Sequence, residues 1–128
     1  MTALLDTHVL LWAAGADRRL PAGVQQWLKD RSNDLWVSDV TVWELAVKSG
    51  IGKLEFDEGL EGFLNREFSV NRYRSLEIRR RHLYRVETLP QVHRDPFDRL
   101  LVAQSLEEGL PVMSADPAFK QYPVETIW

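Results

Sequence analysis

The chain has 128 residues, 45% hydrophobic and 27% charged, which is an ordinary composition for a globular domain with one core. Its formal net charge of −3 gives no overall positive field, so a site for a polyanion must come from a local patch. The absence of cysteine excludes disulfides, thiolate nucleophiles and cysteine-bound zinc, and no apolar run approaches the roughly 20 residues of a membrane span. We predict one domain, residues 1–128, in the cytoplasm and without a signal peptide.

The amino-terminal half is predicted to alternate short strands with helices. A strand over residues 2–5 leads into a helix over residues 7–14, and Pro21 opens a second helix over residues 21–32. A strand over residues 35–38 precedes a helix that begins at an Asp39 cap and ends near Gly50. A linker over residues 54–56 and a helix over residues 57–68 complete this half.

The carboxyl-terminal half continues the same alternation. A weak strand over residues 72–76 and a helix over residues 77–87 are followed by a loop. Pro96 opens a helix that runs to Glu108 and ends at Gly109. The remaining elements are a strand over residues 110–114, a helical turn over residues 117–120 and a strand over residues 124–127. The pattern predicts an α/β fold of three layers, α/β/α, around a central, mostly parallel sheet of short strands.

Four carboxylates lie in apolar surroundings in the sequence. Asp6 ends one apolar run, Glu44 interrupts another, Asp98 precedes a third and Asp116 follows a fourth. Burial of a carboxylate is costly unless a cation or hydrogen bonds compensate its charge. Ligands of parallel sheets bind beyond the carboxyl ends of the strands, where all four acids can meet. Four converging carboxylates predict a site for a hard divalent cation such as Mg²⁺.

Each acid also has a structural explanation when it is considered alone. Asp95 and Asp116 both precede a proline, as helix N-caps do, and Asp98 would interact favourably with the same helix dipole. Asp6 is placed to cap the first helix, whereas Glu44 lies inside a helix, where burial beside a bonding partner is its only structural explanation. We favour a metal site for the set. Asp95 stays open between a cap and an acid that supports the metal ligands.

Other polar residues leave two interpretations each. Ser38 and Ser114 are strand-end residues that either serve the backbone or hydrogen-bond a metal-bound water. Residues 66–85 hold seven of the sixteen Lys and Arg residues. This cluster is either a solvated helix face or a patch that binds phosphate or an acidic partner. The three histidines show no metal-ligand spacing.

Four segments stand in order along the chain, namely LLDTH at residues 4–8, SDVTVWE at 38–44, HRDPFDRLLVAQ at 93–104 and SADPAF at 114–119. Together they resemble the motifs of PIN-domain ribonucleases, and more closely those of VapC-type toxins of type II toxin–antitoxin systems. The resemblance covers essentially the whole chain.

The resemblance implies a Mg²⁺- or Mn²⁺-dependent endoribonuclease. It assigns Asp6, Glu44, Asp98 and Asp116 to the acidic cluster, with Asp6 and Asp98 as the principal metal ligands. It also implies that the substrate is RNA, by family habit tRNA or rRNA, that the protein forms a homodimer, and that a cognate antitoxin protein neutralises it.

Substrate and partner contacts are predicted on separate surfaces. Arg99, beside Asp98, and the arginines of the 77–87 helix are expected to steer the RNA backbone; the latter are Arg79, Arg80, Arg81 and Arg85. A groove for the antitoxin is expected among the helices at 7–14, 21–32 and 57–68, which carry surplus apolar side chains: Leu11, Trp12, Trp27, Phe56, Leu60 and Phe63.

Two other classes of protein remain as alternatives. One is a non-catalytic binding module that retains the acidic pocket. The other is a receiver-like phosphate switch, which would need a second acid beside Asp6, where this chain has Thr7.

Overall fold

A five-stranded sheet in which every pairing is parallel forms the centre of the protein, as seen in a computed structural model that describes residues 1–128. The strands are β1 (Thr2–Leu5), β2 (Asp34–Ser38), β3 (Arg74–Leu76), β4 (Val112–Met113) and β5 (Thr126–Ile127), in the spatial order β3-β2-β1-β4-β5. The chain builds outward from β1 through β2 to β3 and then continues on the other side of β1 with β4. The strand order therefore reverses between β1 and β4.

Six α-helices cover the two faces of the sheet. They are α1 (Thr7–Ala14), α2 (Ala22–Lys29), α3 (Asp39–Gly50), α4 (Gly59–Asn71), α5 (Arg80–Glu87) and α6 (Pro96–Glu108), and a 3-10 helix spans Pro117–Gln121. Side chains alternate across β1, with Ala3 and Leu5 in one core cluster and Leu4 in the other. Helices α1, α2 and α4 pack in the first cluster and α6 in the second. The predicted three-layer α/β/α architecture is confirmed.

Several predicted element boundaries shift because side chains cap neighbouring helices. The N-cap of α3 is Ser38, whose Oγ accepts from the backbone N–H of Val40 at 2.9 Å, so the prediction of Asp39 was wrong. Helix α5 begins three residues later than predicted, where His82 Nδ1 accepts from the backbone N–H of Arg79 at 2.9 Å. None of the helices is long and apolar enough to cross a membrane.

Helix α4 ends in a left-handed residue, Arg72, with φ of 55°. The predicted strand at 72–76 is therefore shortened to its last three residues, Arg74–Leu76. By contrast, α6 begins at Pro96 and ends before Gly109, as predicted, and Gly109 takes the left-handed conformation with φ of 66° that glycine tolerates best.

Candidate active site at the carboxyl edge of the sheet

A polar cleft of about 190 Å³ opens at the carboxyl ends of β1 and β4, where the strand order reverses. No hydrophobic side chain lines it; its nine residues are Asp6, Thr7, His8, Glu44, Lys48, His93, Asp95, Asp98 and Asp116. The structure therefore brings all four predicted acids, and Asp95, to one void. This is the place where ligands bind in open parallel sheets.

Asp6 connects the end of β1 to the start of α1. Its Oδ1 accepts from the backbone N–H of Val9 at 2.8 Å, which is the predicted capping bond, and its Oδ2 accepts from the Ser114 hydroxyl. The side chain is buried. Burial raises the pKa of Asp6 above its ordinary value, and the hydrogen bonds from Ser114 and Val9 only partly oppose that rise.

Glu44 projects from α3 into the same cleft and is only 6% exposed. One carboxylate oxygen accepts from the Thr7 hydroxyl at 2.6 Å, and the other lies 2.5 Å from Lys48 Nζ. Both oxygens therefore have a protein partner. Val47 and Ile51, which follow Glu44 in the sequence, are exposed and do not extend the core.

Asp98 lies in the first turn of α6. Its Oδ2 is 2.9 Å from His93 Nε2. Burial is the main reason that the pKa of Asp98 rises to about 6, and the negative charges of Asp95 and Glu44 add to the rise, while the hydrogen bond to His93 opposes it. When no cation is near, a carboxylate with this pKa is half protonated at about pH 6.

Asp95 and Asp116 act as helix caps and also face the cleft. Asp95 Oδ1 accepts from the backbone N–H groups of Phe97 and Asp98, and Asp116 Oδ1 accepts from Ala118 at 2.9 Å. The capping interpretation of both residues is confirmed. In each case the second oxygen makes no hydrogen bond to the protein, so capping does not prevent either acid from serving a ligand in the cleft.

The donor chemistry of the cleft suits a hard cation, because five carboxylates supply oxygen atoms and no sulfur is present. In the present arrangement, no three acidic or imidazole groups converge closely enough to enclose a metal ion. Three of the carboxylates also bond to protein donors: Asp6 to Ser114, Glu44 to Thr7 and Lys48, and Asp98 to His93. The carboxylates would have to move closer together to enclose an ion, while these bonds keep them at the cleft.

A family model for the PIN domain matches residues 3–125. The chain belongs to the PIN-domain family. A comparison with curated proteins gave no match.

Solved structures share the fold of this PIN domain at low sequence identity. A chain from the crystal structure of VapBC2 from Rickettsia felis, bound to a DNA fragment from their promoter, superposes with a TM-score of 0.74 at 17% identity; the match covers 100% of this chain and 99% of that chain. A chain from a toxin–antitoxin complex from Klebsiella pneumoniae gives 0.65 at 17%, covering 98% and 96%. A chain from FitAcB of Neisseria gonorrhoeae gives 0.64 at 18%, covering 100% and 97%.

Four residues of the cleft were not assigned to the site from the sequence, namely Thr7, His8, Lys48 and His93. Thr7 and His8 directly follow Asp6, so their place at the strand end was a usable signal. Lys48 lies four residues after Glu44, a spacing that places two helical side chains on one face. His93 had no comparable signal, because it reaches Asp98 from a loop.

The two candidate serines of this PIN domain have different surroundings. Ser114 bonds Asp6 and lies beside the cleft, and its Oγ also accepts from the backbone N–H of Asp116 at 3.0 Å. Ser38 caps α3 and donates to Gln104 Oε1, and it does not line the cleft. Ser114 therefore keeps both of its interpretations, whereas Ser38 is a structural residue.

Arg99 does not fit its predicted contact with substrate. The side chain is 8% exposed, and its guanidinium donates to backbone carbonyls of Pro90 at 2.8 Å and Val86 at 3.3 Å and to the Tyr122 hydroxyl at 3.2 Å. Although Arg99 follows Asp98 in sequence, its side chain ties the loop before α6 to α5. Its role in this structure is to hold that loop.

The arginines of α5 are also largely committed to ion pairs. Arg81 pairs with Glu108, Arg85 with Glu107 at 3.1 Å and Arg79 with Glu77 at 3.7 Å, whereas Arg80 is exposed. Glu108 lies ten residues after Asp98 along α6, which corresponds to about 15 Å of helix. Arg81 and Arg85, which pair with these glutamates, are therefore far from the cleft. They could contact only parts of an RNA that lie well away from the cleaved bond.

Proposed function

We propose that this PIN domain is a Mg²⁺- or Mn²⁺-dependent endoribonuclease. A single observation carries the proposal. Five carboxylates from separate parts of the sequence converge in one cleft that no hydrophobic side chain lines, at the edge of the sheet where the strand order reverses. An acidic cleft repels an RNA backbone unless cations neutralise it. Its acidity therefore supports a metal-dependent reaction on a phosphodiester rather than simple binding of an anion.

Asp6 and Asp98 would hold the ion, with Glu44 and Asp116 in support and Asp95 beside them. A bound divalent ion supplies hydroxide at neutral pH and stabilises negative charge on the phosphoryl group and the departing oxygen. The chain's own groups prepare this site. Ser114 and the Val9 amide fix the Asp6 carboxylate, and His93 holds Asp98. These bonds keep both carboxylates at the cleft.

The test uses purified protein, free of contaminating nuclease, with total RNA that includes tRNA and rRNA. We expect discrete fragments with Mn²⁺ or Mg²⁺ and none with EDTA. RNA that is bound but never cut would support the alternative of a non-catalytic binding module and contradict the nuclease proposal. The receiver-like alternative is not favoured, because Thr7 occupies the position where a second acid would be needed.

We further propose that this nuclease acts in the cytoplasm as the toxin of a toxin–antitoxin pair. The support is the fold shared with chains from such complexes, together with a second cavity. That cavity, of about 580 Å³, lies at the amino-terminal edge of β2 and β3, away from the acidic cleft. It combines apolar side chains such as Leu28 and Val70 with Arg31 and Arg72, neither of which has a salt-bridge partner.

An antitoxin segment with apolar and acidic side chains fits this cavity. The predicted groove residues lie elsewhere: Phe63 is buried, and Leu11, Trp12, Trp27, Phe56 and Leu60 pack against the core. Co-expression with a candidate antitoxin, followed by pull-down, tests the pairing. Val70→Glu, at a side chain that is 66% exposed in the cavity, should weaken capture, whereas Val92→Glu, 45% exposed outside it, should not.

We also propose a homodimer, and its support is an exposed apolar surface on α3. Trp43, Val47 and Ile51 are 48%, 41% and 64% exposed. Contiguous apolar surface of this kind marks protein interfaces. Ile51→Glu should convert a dimer to a monomer in size-exclusion chromatography with light scattering. A wild-type protein that elutes as a monomer at micromolar concentration would contradict the dimer.

A further inference from the structure

The acidic cleft contains one Lys or Arg side chain, that of Lys48. It lies one helical turn after Glu44 on α3, and its Nζ is 2.5 Å from Glu44 Oε2. The side chain of Glu44 is 7% exposed and that of Lys48 is 34% exposed. A buried carboxylate is thus paired with a cation that still reaches solvent, inside the void where substrate would bind.

The ammonium group has bonding capacity to spare. Nζ carries three N–H donors, and Glu44 is its one hydrogen-bond partner in the protein. Two donors are therefore free to face the cleft. Glu44, by contrast, has one oxygen bonded to Thr7 and the other to Lys48. This arrangement indicates that Glu44 orients Lys48 and is not free to bind a metal ion.

The position of the ammonium supports the same assignment. Five carboxylates face one ammonium in the cleft, and two-ion nuclease centres place their cations about 3.5–4 Å apart. A lysine ammonium held by Glu44 puts positive charge at the Glu44 side of a cleft that Asp6 also lines. A second divalent ion at Glu44 would have to displace this ammonium from its 2.5 Å contact with Glu44 Oε2.

We propose that Lys48 supplies the second positive charge of the centre, so that the cleft takes one divalent ion, at Asp6 and Asp98, and the Lys48 ammonium contacts the substrate phosphate. The inference rests on the proposed nuclease function and deepens it. It assigns Glu44 to orienting Lys48, and it makes Lys48 a substrate-binding residue. The ammonium then does for the phosphate what a second ion does in two-metal enzymes.

The first test counts ions without measuring cleavage. Mn²⁺ is titrated into the purified wild-type chain by calorimetry and electron paramagnetic resonance, and we expect one ion per chain. Two ions per wild-type chain would overturn the assignment of Lys48, whether or not the protein cuts RNA. Absence of RNA cleavage with Mn²⁺ would instead contradict the proposed function, so the two failures are distinguishable.

The second test removes the charge. Lys48→Met leaves Glu44 free, and we expect a second Mn²⁺ to bind. Its affinity for a labelled RNA in Ca²⁺, under conditions where gels show no cleavage, should fall at least about tenfold, the loss expected for one charge-assisted hydrogen bond. Lys48→Arg keeps the charge and should keep one ion. Lys53→Met, an exposed lysine outside the cleft, is the matched control.

One ion and undiminished RNA affinity in a folded Lys48→Met protein would overturn the proposal. If circular dichroism shows that Lys48→Met does not fold, the wild-type ion count and the Lys48→Arg variant still decide it. Loss of RNA affinity in Lys53→Met equal to that in Lys48→Met would also overturn it, because the effect would then reflect overall charge.

Discussion

The Ser114 hydroxyl donates a hydrogen bond to the Asp6 carboxylate and thereby joins the ends of β4 and β1 across 108 residues of sequence. The same hydroxyl accepts from the backbone N–H of Asp116. One buried side chain thus positions two acids of the cleft. Because β1 and β4 are the strands between which the order reverses, this contact sits at the base of the candidate metal site.

Removal of that hydroxyl should weaken metal binding without unfolding the protein. In Ser114→Ala, Asp6 loses the hydrogen bond that opposes the rise of its pKa, so the carboxyl holds its proton more firmly. We expect Mn²⁺ affinity at pH 7 to fall about tenfold or more, as is typical when a partner of a metal ligand is lost. Isothermal titration calorimetry measures this. Ser105→Ala, at an equally buried serine outside the cleft, should leave Mn²⁺ affinity unchanged.

Thr7 should contribute to stability through Glu44. Thr7→Val keeps the shape but removes the hydroxyl that donates to the buried carboxylate at 2.6 Å. We expect the free energy of unfolding to fall by about 1.5–3 kcal/mol, the range for a hydrogen bond to a charged group. Urea denaturation followed by circular dichroism gives the value. Thr7→Ser retains the hydroxyl, so its free energy of unfolding should fall much less. Equal decreases in the two variants would show that the hydrogen bond from Thr7 to Glu44 does not stabilise the fold.

Asp98 should make stability depend on pH in the metal-free protein. Its pKa is about 6 in the folded chain against an ordinary 3.8, so between these values the folded state holds a proton that the unfolded state has released. The contribution of Asp98 to the free energy of unfolding therefore falls as pH rises through this window, by on the order of 2 kcal/mol in total. Well below pH 3.8 both states are protonated and the cost disappears.

Asp98→Asn removes the ionisation and should raise the melting temperature above pH 6. The expected gain at pH 7.5 is about 6–12 °C, and it should vanish well below pH 3.8. Differential scanning calorimetry in EDTA across this range measures it. Asp57→Asn, at an exposed acid, should show no such pattern. A gain that is the same at every pH would show that the charge of Asp98 is not its cause.

Arg99 should contribute to the stability of the fold and not to RNA binding. Its guanidinium donates to three backbone carbonyls and to the Tyr122 hydroxyl, so Arg99→Met removes four hydrogen bonds at once. We expect a loss of on the order of 2–4 kcal/mol in the free energy of unfolding. Arg99→Lys should recover only part of it, because one ammonium does not span the same acceptors. Reduced RNA affinity at unchanged stability would restore the predicted substrate contact.

Features encoded by local sequence were predictable, and features that depend on distant partners were not. Helix α6 could be placed because Asp95, Pro96 and Gly109 cap it from adjacent positions. Convergence of the acids followed from the rule that parallel strands end at one edge. Arg99 was misassigned because its partners, Pro90, Val86 and Tyr122, come from three other segments that sequence spacing does not bring together.

The most direct test of the nuclease proposal compares Mn²⁺-dependent cleavage of RNA by the wild-type chain and by Asp6→Asn. The variant keeps an oxygen to accept from Val9 and so should fold, which circular dichroism and melting verify. Asp57→Asn serves as the control for the loss of one negative charge. The metal-site proposal predicts cleavage by wild type and Asp57→Asn and none above the EDTA background by Asp6→Asn. Equal cleavage rates in all three nuclease-free preparations would contradict it.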